Sequence, residues 1–233
     1  MKYEIESIAT IHNDYKEKFG IPRQSGLLED NISTIIFDEK YRDENSLRGL
    51  DGFTHLWLLW LFDRNNSDKR WSPTVRPPRL GGNKRVGVFS TRSPYHPNNI
   101  GLSCVKIASI EKTTTNGTII NVIGADLLDG TPIIDIKPYL TFTDSVPEAK
   151  CGFADEVKNY EATVTFCKDF SHIDKSILKS IENMLIQDPR PSYKHKTSSS
   201  YSMTFADFEV KFSAKNNEIT VTDITELPNG SEK

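Results

Sequence analysis

Short apolar runs separated by turn-forming residues dominate the first 145 residues of this chain, and this pattern limits its possible folds more than any other feature. No segment between the runs has the spacing of an amphipathic helix. Residues 53–62 are apolar on both faces, which is typical of a strand buried on both sides. Many short strands without intervening helices predict a barrel or a sandwich rather than a parallel βαβ sheet. The predicted strands are residues 3–11, 32–37, 53–62, 86–90, 103–110, 117–123 and 133–139, with Asn116-Gly117 as a hairpin turn.

A helix is predicted in the last third of the chain. Apolar residues recur on one face between residues 171 and 187, as they do on an amphipathic helix. Ser171 is a suitable residue to cap its start, and Asp188 followed by Pro189 is typical of its end.

Further strands are predicted around this helix, so the C-terminal part of the chain combines both kinds of structure. Residues 160–167 alternate as a strand does, while residues 202–212 and 218–224 predict a closing hairpin. We therefore expect a mainly β protein with a smaller α+β part. Residues 1–146 and residues 147–233 are expected to form its two domains.

Composition and motifs exclude several classes of protein. The chain is 36% hydrophobic and 26% charged, an ordinary globular balance. Its N-terminus lacks the apolar stretch of a secretory signal, and no apolar run is long enough to span a membrane. The three cysteines have no zinc-site or disulfide spacing, so we expect a reducing, cytoplasmic compartment and no metal. No G-x-G-x-x-G follows a strand and no P-loop is present, which excludes the usual nucleotide-binding folds.

Positive charge is concentrated in one segment, residues 64–92, which we call the basic stretch. It carries a net charge of +7, whereas the rest of the chain carries −10 and the whole chain −3. Trp71 and Phe89 lie among its cations. Such a segment is typical of a surface that binds a phosphate-bearing partner, although a solvated loop paired with acidic neighbours would have the same composition.

Four segments remain that composition does not explain. They are IPRQSGL from Ile21, RGLDGFTHLWL from Arg48, VRPPRLGGNKRVGVFSTRSP from Val75 and DLLDGTPIIDIKPY from Asp126. Together they closely resemble the TrmO (TsaA-like) family of tRNA N6-threonylcarbamoyladenosine N6-methyltransferases. The resemblance covers residues 2–145 and resumes at QDPRPSYK from Gln187.

This resemblance implies an N-terminal antiparallel β-barrel, not a Rossmann domain, that binds S-adenosylmethionine in a homodimer near the subunit interface. The implied reaction methylates the N6 atom of threonylcarbamoyl-adenosine next to the anticodon of threonine tRNA. The C-terminal domain would help to grip the tRNA. The implied cofactor contacts are Pro22, Arg23, Gln24, Asp63, Arg64, Arg92, Leu102, Asp126, Leu127, Leu128 and Asp129.

The residue types in these segments suit the implied chemistry. An arginine, Arg23 or Arg92, can grip the carboxylate of the cofactor. The N6 proton must leave during transfer, and a carboxylate can accept it, with Asp126 and Asp135 as the candidates. In the basic stretch we expect tRNA contacts from Arg76, Arg79, Lys84 and Arg85. Two alternatives remain open: a non-catalytic RNA-binding protein with a regulatory S-adenosylmethionine site, and a methyltransferase for another substrate.

Overall fold

A closed antiparallel barrel forms the N-terminal part of the protein. The computed structural model describes residues 1–28, 30–65, 71–156 and 160–228, without the side chain of Arg79. The strands are β1 (Ala9–His12), β2 (Ile32–Phe37), β3 (His55–Leu61), β4 (Thr74–Val75), β5 (Val86–Gly87), β6 (Ile100–Thr113), β7 (Gly117–Ile123) and β8 (Thr131–Pro138). Six of them close the barrel in the order β1-β2-β7-β6-β3-β8, while β4 and β5 pair with each other in the connection between β3 and β6. The predicted barrel is confirmed.

Alternation of side chains along β3 shows how the barrel builds its core. Leu56, Leu58 and Trp60 point inward and are buried, because successive side chains of a strand face opposite sides. The outward residues Leu59 and Leu61 are only half-buried. The prediction that this strand is buried on both faces is therefore wrong for its outer face, which forms an apolar surface of the barrel.

The predicted strand bounds agree with the structure for β2 and β7 and differ from it elsewhere. The structure extends β6 well beyond residues 103–110, because its far end pairs with β7 in a hairpin that ends at Gly117. Gly117 adopts the left-handed backbone conformation that this turn requires (φ 67°). By contrast, residues 3–8 have no regular structure, and residues 88–90 form a 3₁₀ turn instead of extending β5.

The C-terminal part combines a four-stranded sheet with one long helix. Its elements are α1 (Thr141–Asp144), β9 (Thr163–Phe166), α2 (Lys175–Ile186), β10 (Ser199–Phe205), β11 (Phe208–Lys215) and β12 (Glu218–Glu226). Strands β10, β11 and β12 form an antiparallel meander, and β9 pairs in parallel with β12. Short 3₁₀ helices occupy Glu39–Tyr41, Glu44–Leu47, Leu50–Gly52, Pro78–Leu80, Val88–Ser90, Gly152–Ala154 and Ser192–Lys194.

Two predicted details of this part are wrong. The helix begins after Asp174, whose carboxylate accepts a hydrogen bond from the Ser176 N–H, so Asp174 is the N-cap instead of Ser171. The predicted strand 202–212 is two strands, because Ala206 takes a left-handed conformation (φ 49°) and reverses the chain. Alanine rarely adopts this conformation, so the alternating sequence did not reveal the turn.

The connection between β1 and β2 joins the two parts of the protein. Tyr15 and Leu28 are buried in the core of the C-terminal sheet, with Phe19 and Ile21 packed against it. The Tyr15 hydroxyl accepts a hydrogen bond from Asn31, and burial raises the pKa of Tyr15 to about 12. A segment that begins and ends in the barrel thus supplies apolar side chains to the second core.

Within the described ranges, no helix is both long and apolar enough to cross a membrane.

Candidate active site

Three connections meet at one end of the barrel, which we call the site end. Neighbouring strands of an antiparallel barrel run in opposite directions, so β1, β7 and β3 finish where β2, β6 and β8 begin. The connections β1–β2, β3–β6 and β7–β8 therefore all leave from this end. They carry most of the predicted site residues, namely Pro22, Arg23, Gln24, Asp63, Arg64, Arg76, Arg79, Lys84, Arg85, Arg92, Asp126, Leu127, Leu128 and Asp129.

Residues 22–26 touch both other connections, and we call them the cofactor loop because the resemblance implies cofactor contacts at residues 22–24. Arg92 donates a hydrogen bond from Nη1 to Gln24 Oε1 (2.7 Å). The Ser25 backbone N–H interacts with the Asp126 carboxylate, while the Ser25 hydroxyl accepts from the Cys104 N–H (3.1 Å). These contacts bring together residues that are up to about a hundred positions apart in the chain, and they hold Arg92 and Asp126 beside one loop.

Asp126 ends a chain of hydrogen bonds that begins inside the barrel. The Trp60 indole N–H donates to Ser103 Oγ (2.9 Å), and Ser103 donates to Asp126 Oδ1 (2.5 Å). Because an indole can only donate, the Ser103 hydroxyl must direct its own proton at the carboxylate. Burial raises the pKa of Asp126 from 3.8 to about 6, although Ser103, the backbone N–H groups of Asp126 and Ser25, and Arg92 all favour its ionised form.

A glycine makes this chain possible. The Trp60 ring lies directly against Gly101, its partner on β6, and a Cβ atom at position 101 would overlap with the ring. Gly101 and Ser103 are the inward residues at the start of β6, and both are buried. Small side chains here leave the space in which the indole can reach the serine.

Asp129 already has partners within the protein. Its carboxylate accepts hydrogen bonds from the Asn13 N–H (3.0 Å) and Lys16 Nζ (2.9 Å), and its backbone carbonyl accepts from Arg64 Nη2 (2.8 Å). Burial alone would raise the pKa of Asp129, but these partners hold it below its ordinary value. The geometry therefore places Asp129 and Arg64 where they tie the β7–β8 connection to its neighbours.

Arg23 is directed away from the barrel. Its Nη2 atom donates to the backbone carbonyls of Asp188 (2.9 Å) and Arg190 (2.6 Å) in the C-terminal part. Arg92, the other arginine considered for the cofactor carboxylate, is exposed at the site end and faces Gln24. Of the two, Arg92 has the better position for a ligand held by the loops.

The remaining predicted residues differ in their surroundings. Pro22 and Leu127 are buried, Leu128 is half-buried and Asp63 is exposed. Leu102 lies outside the three connections, on the outer face of β6, where 46% of its surface is exposed.

Asp135 also lies outside the three connections. It is a residue of β8 opposite Leu59, and it forms an ion pair with Lys137 (2.6 Å) that is half-exposed. Asp126 and Asp135 thus occupy different environments, one in the hydrogen-bond chain at the site end and one on the outer surface. In the described part of the chain, no three His, Cys, Asp or Glu side chains lie close enough together to hold a metal ion.

The basic stretch leaves the same end of the barrel. Arg76, Lys84 and Arg85 are exposed, and Arg85 donates a hydrogen bond to Thr74 Oγ1 (2.6 Å). The side chain of Arg79 lies outside the described part of the structure. The other cations of the stretch are Arg64 and Arg92, described above, and Lys69 and Arg70, which lie outside the described residues.

Sequence reasoning missed three residues of this site. Trp60 lies in the predicted strand 53–62 but was given no role in the site, and Ser25 and Ser103 were not singled out. The one available signal was Ser103 itself, a polar residue at an inward position of a strand, between Gly101 and Val105. A buried hydroxyl requires a partner, so this position indicated a buried polar contact without revealing its identity.

Known proteins resemble this chain over most of its length. The family model described as tRNA-methyltransferase O N-terminal domain matches residues 10–145, and the TrmO C-terminal domain model matches residues 154–227. The closed barrel, with polar and charged residues gathered at one end, is thus that of a methyltransferase built on a β-barrel. The chain belongs to the tRNA-methyltransferase O (TrmO) family, which confirms the resemblance seen in the four segments.

Individual relatives agree with this assignment. The tRNA (adenine(37)-N6)-methyltransferase of Escherichia coli is 38% identical, over 90% of this chain and 92% of the relative. A putative S-adenosylmethionine-dependent methyltransferase, RcsF, from Pseudomonas aeruginosa is 36% identical, over 83% of this chain and 84% of the relative. A crystal structure of TrmO from P. aeruginosa superposes with a TM-score of 0.76 at 30% identity, covering 97% of this chain and 98% of that one.

Proposed function

We propose that this protein methylates the N6 atom of threonylcarbamoyl-adenosine next to the anticodon of threonine tRNA, in the cytoplasm. The broader activity is S-adenosylmethionine-dependent methylation of adenosine N6 near the tRNA anticodon. It is supported by the tRNA-methyltransferase O family model, by the E. coli tRNA (adenine(37)-N6)-methyltransferase and by the putative S-adenosylmethionine-dependent methyltransferase RcsF. The observation that supports the finer proposal is the meeting of the cofactor loop, Asp126 and the basic stretch at one end of the barrel. A modified adenosine can enter such a site while the adjoining phosphates contact the cations.

The side chains at the site end fit the chemical groups of S-adenosylmethionine. Arg92 supplies a cation for its carboxylate, while Asp63 supplies an exposed carboxylate and Gln24 an amide for its polar groups. When bound, the cofactor supplies a methyl group activated by a sulfonium. Pro22, Leu127 and Leu128 would support the walls, and Arg64 and Asp129 would keep the β7–β8 connection in place through their mutual hydrogen bond. The protein's main contribution is to align the reacting atoms.

We assign the role of proton acceptor to Asp126 rather than Asp135. A general base works best when its pKa is near the working pH, and burial raises the pKa of Asp126 to about 6. The Ser103 hydroxyl and the backbone N–H groups of Ser25 and Asp126 occupy at most three of the roughly four lone-pair sites of this carboxylate, so one remains to receive the N6 proton. Asp135 is held on the outer surface by Lys137.

An in vitro methylation assay tests the substrate. Threonine tRNA with the threonylcarbamoyl group, the same tRNA without it, and a second tRNA that carries the group are each incubated with the protein and labelled cofactor. We expect methylation of the first alone. Equal labelling of the second tRNA with the threonylcarbamoyl group would contradict the choice of threonine tRNA, and labelling of the unmodified tRNA would contradict the choice of nucleoside.

A charge-removal experiment tests the tRNA contacts. Alanine at all four predicted cations should weaken tRNA binding. It should also reduce the slope of log K for tRNA binding against log salt concentration by about 0.7–0.9 per lost phosphate contact. Alanine at four exposed lysines elsewhere is the matched control and should change neither quantity. An unchanged salt slope in the first variant would contradict the assigned tRNA surface. The first set is Arg76, Arg79, Lys84 and Arg85, and the control set is Lys2, Lys40, Lys106 and Lys112.

The outer face of β3 and β6 supports the proposal of a homodimer. Ile100 and Leu102 are 38% and 46% exposed, and they lie opposite the half-buried Leu61 and Leu59. A contiguous apolar surface of this kind is typical of a subunit interface, and it adjoins the site end. Ile100→Arg should shift the protein from dimer to monomer in analytical ultracentrifugation. Ile32→Arg, at a more exposed isoleucine on β2 (58%), is the control, and a dimeric Ile100→Arg variant would contradict this interface.

A further inference from the structure

A short segment of the C-terminal part, residues 188–193, contacts two loops of the site end at once. We call it the brace. We propose that Arg190 and Ser192 are positioning residues for methyl transfer: Arg190 fixes the cofactor loop through Arg23, and Ser192 fixes the turn that carries the tRNA-binding cations. This inference rests on the proposed function of these two loops.

The first half of the brace is buried and held by several hydrogen bonds. Arg190 is fully buried, and its Nε and Nη2 atoms donate to the two carboxylate oxygens of Asp188 (2.8 Å each). Nη2 also donates to the Asn216 carbonyl (2.7 Å), and the Tyr160 hydroxyl donates to Asp188 Oδ2 (3.0 Å). Burial alone would raise the pKa of Asp188, but the Arg190 guanidinium holds it below its ordinary value. The carboxylate is therefore ionised at neutral pH, and the pair is bidentate.

This pair sets the direction of two backbone carbonyls. Asp188 adopts a left-handed conformation (φ 47°), which a non-glycine residue keeps only when its surroundings impose it. In this conformation the carbonyls of Asp188 and Arg190 both accept from Arg23 Nη2. The two residues that follow Arg23 make the contacts of the site. Gln24 accepts a hydrogen bond from Arg92, and Ser25 contacts Asp126. The buried pair thus fixes the loop on which the cofactor-facing groups depend.

The second half of the brace closes a turn of the basic stretch. The Ser192 hydroxyl donates to the Pro78 carbonyl (2.6 Å) and accepts from the Gly81 N–H (3.0 Å). These two groups also form the turn's own hydrogen bond, which at 3.3 Å is long. Next to them, the Tyr193 ring lies against Gly82, where a Cβ atom would be 2.8 Å from the ring. A serine from the C-terminal part therefore completes a turn that its own backbone closes weakly.

The turn held by Ser192 lies among the predicted tRNA contacts. Arg79 belongs to it, Arg76 precedes it by two residues, and Lys84 and Arg85 follow it closely. Without the hydroxyl, the turn would lose two hydrogen bonds and the cations would lose their fixed spacing. Phosphate contacts position an RNA only when the cations are themselves held in place, so the loss should affect tRNA more than the cofactor.

Changes in the two halves of the brace should affect different constants, KM for tRNA in one case and Kd for S-adenosylmethionine in the other. Ser192→Ala should raise KM for tRNA by about tenfold, the effect expected from roughly one to two lost hydrogen bonds, and leave the Kd for S-adenosylmethionine within about twofold. Ser192→Thr keeps the hydroxyl and should restore KM. Ser202→Ala removes an exposed serine of the same domain, one that bonds only Glu209, and serves as the control.

Arg190→Lys keeps the charge but loses the bidentate geometry, so it should weaken cofactor binding several-fold, with a smaller change in KM for tRNA. If this variant does not fold, Tyr160→Phe, which removes one bond to Asp188, should show the same pattern to a lesser degree. Cofactor Kd is measured by calorimetry, KM and kcat by methylation of the modified tRNA, and folding by urea denaturation.

The outcomes separate this inference from the proposed function. A wild-type protein that does not methylate the modified tRNA would contradict the proposed function itself. If the wild type is active, the brace is refuted when Ser192→Ala and Ser192→Thr behave alike. It is also refuted when a folded Arg190→Lys or Tyr160→Phe binds the cofactor as the wild type does. A third refuting outcome is that each variant changes the Kd for S-adenosylmethionine and the KM for tRNA by the same factor.

Discussion

Replacing Asp126 by asparagine should stabilise the protein at neutral pH while it removes the proposed proton acceptor. Burial raises the pKa of this carboxyl from 3.8 to about 6. Each pKa unit corresponds to about 1.4 kcal/mol, so keeping the carboxylate ionised in the folded protein costs about 3 kcal/mol. Asparagine has nearly the same shape as the protonated acid and cannot ionise, and its side-chain oxygen can still accept from Ser103.

The pH dependence of this effect has a definite sign. The folded protein keeps the Asp126 proton to a higher pH than the unfolded chain does, so the stability of the wild type falls as pH rises from about 4 to about 6 and is constant above. The variant lacks this fall. Between about pH 4.5 and about pH 8, the free energy of unfolding of the variant relative to the wild type should therefore increase by about 2 kcal/mol. Any hydrogen bonds that the variant loses lower its free energy of unfolding equally at both pH values, so they cancel in this difference.

Urea denaturation of both proteins at the two pH values provides the measurement. Asp135→Asn is the matched control, because Asp135 is a half-exposed carboxylate paired with Lys137, and we expect it to show little pH-dependent gain. A variant-minus-wild-type difference that is the same at both pH values would refute the buried, raised-pKa description of Asp126.

Kinetic measurements test independently whether Asp126 is the proton acceptor. If Asp126 accepts the N6 proton, kcat/KM of the wild type should rise with pH through about 6, because the carboxyl of the protein without substrate must be ionised to act. Asp126→Asn should lower kcat by about 10²- to 10⁴-fold. A variant with unchanged kcat and normal cofactor binding would exclude Asp126 as the base, and Asp135→Asn would then be the next variant to measure.

Two further changes test the supports of the site by urea denaturation. Gly101→Ala should destabilise the barrel by at least about 1–3 kcal/mol, because its methyl group would overlap with the Trp60 ring, whereas Gly52→Ala, which meets no atom within 4 Å, should change stability by less than about 0.5 kcal/mol. Equal effects of the two would contradict the tight packing of the indole. Arg190→Met leaves Asp188 buried without its cation and should cost about 3–5 kcal/mol at neutral pH, with a smaller loss at low pH where the carboxyl can protonate. A loss independent of pH would argue against the buried ion pair.

The barrel was predictable because its signal is local. Short apolar runs separated by turn residues such as Asn116-Gly117 are visible in the sequence itself, even at β3, whose outward residues are also apolar. The same rule failed at Ala206, where a reversal occurs at a residue type that seldom permits it. The start of α2 was predicted too early, because Ser171 is a suitable cap by residue type, whereas the structure uses Asp174 three residues later.

The candidate site was predictable only in part, and its residues show why. The four family segments predicted the cofactor and tRNA contacts, but the sequence did not distinguish Arg23 from Arg92 or Asp126 from Asp135. The structure separates each pair by its surroundings: Arg23 is engaged by the C-terminal part, and Asp135 lies on the outer surface. Partners of this kind come from elements distant in the chain, so no local pattern contains them.

The sequence by itself determined the alternating strands, the amphipathic helix and the concentration of positive charge, since each depends on the order of neighbouring residues. Only the tertiary structure decided which loops meet at the site end and which polar groups find partners there. Arg23 and Arg190 are 167 positions apart, and Ser192 and Pro78 are 114 apart, yet each pair is in hydrogen-bond contact. Closing the barrel and packing the β1–β2 connection into the second core create these contacts, and with them the arrangement of the site.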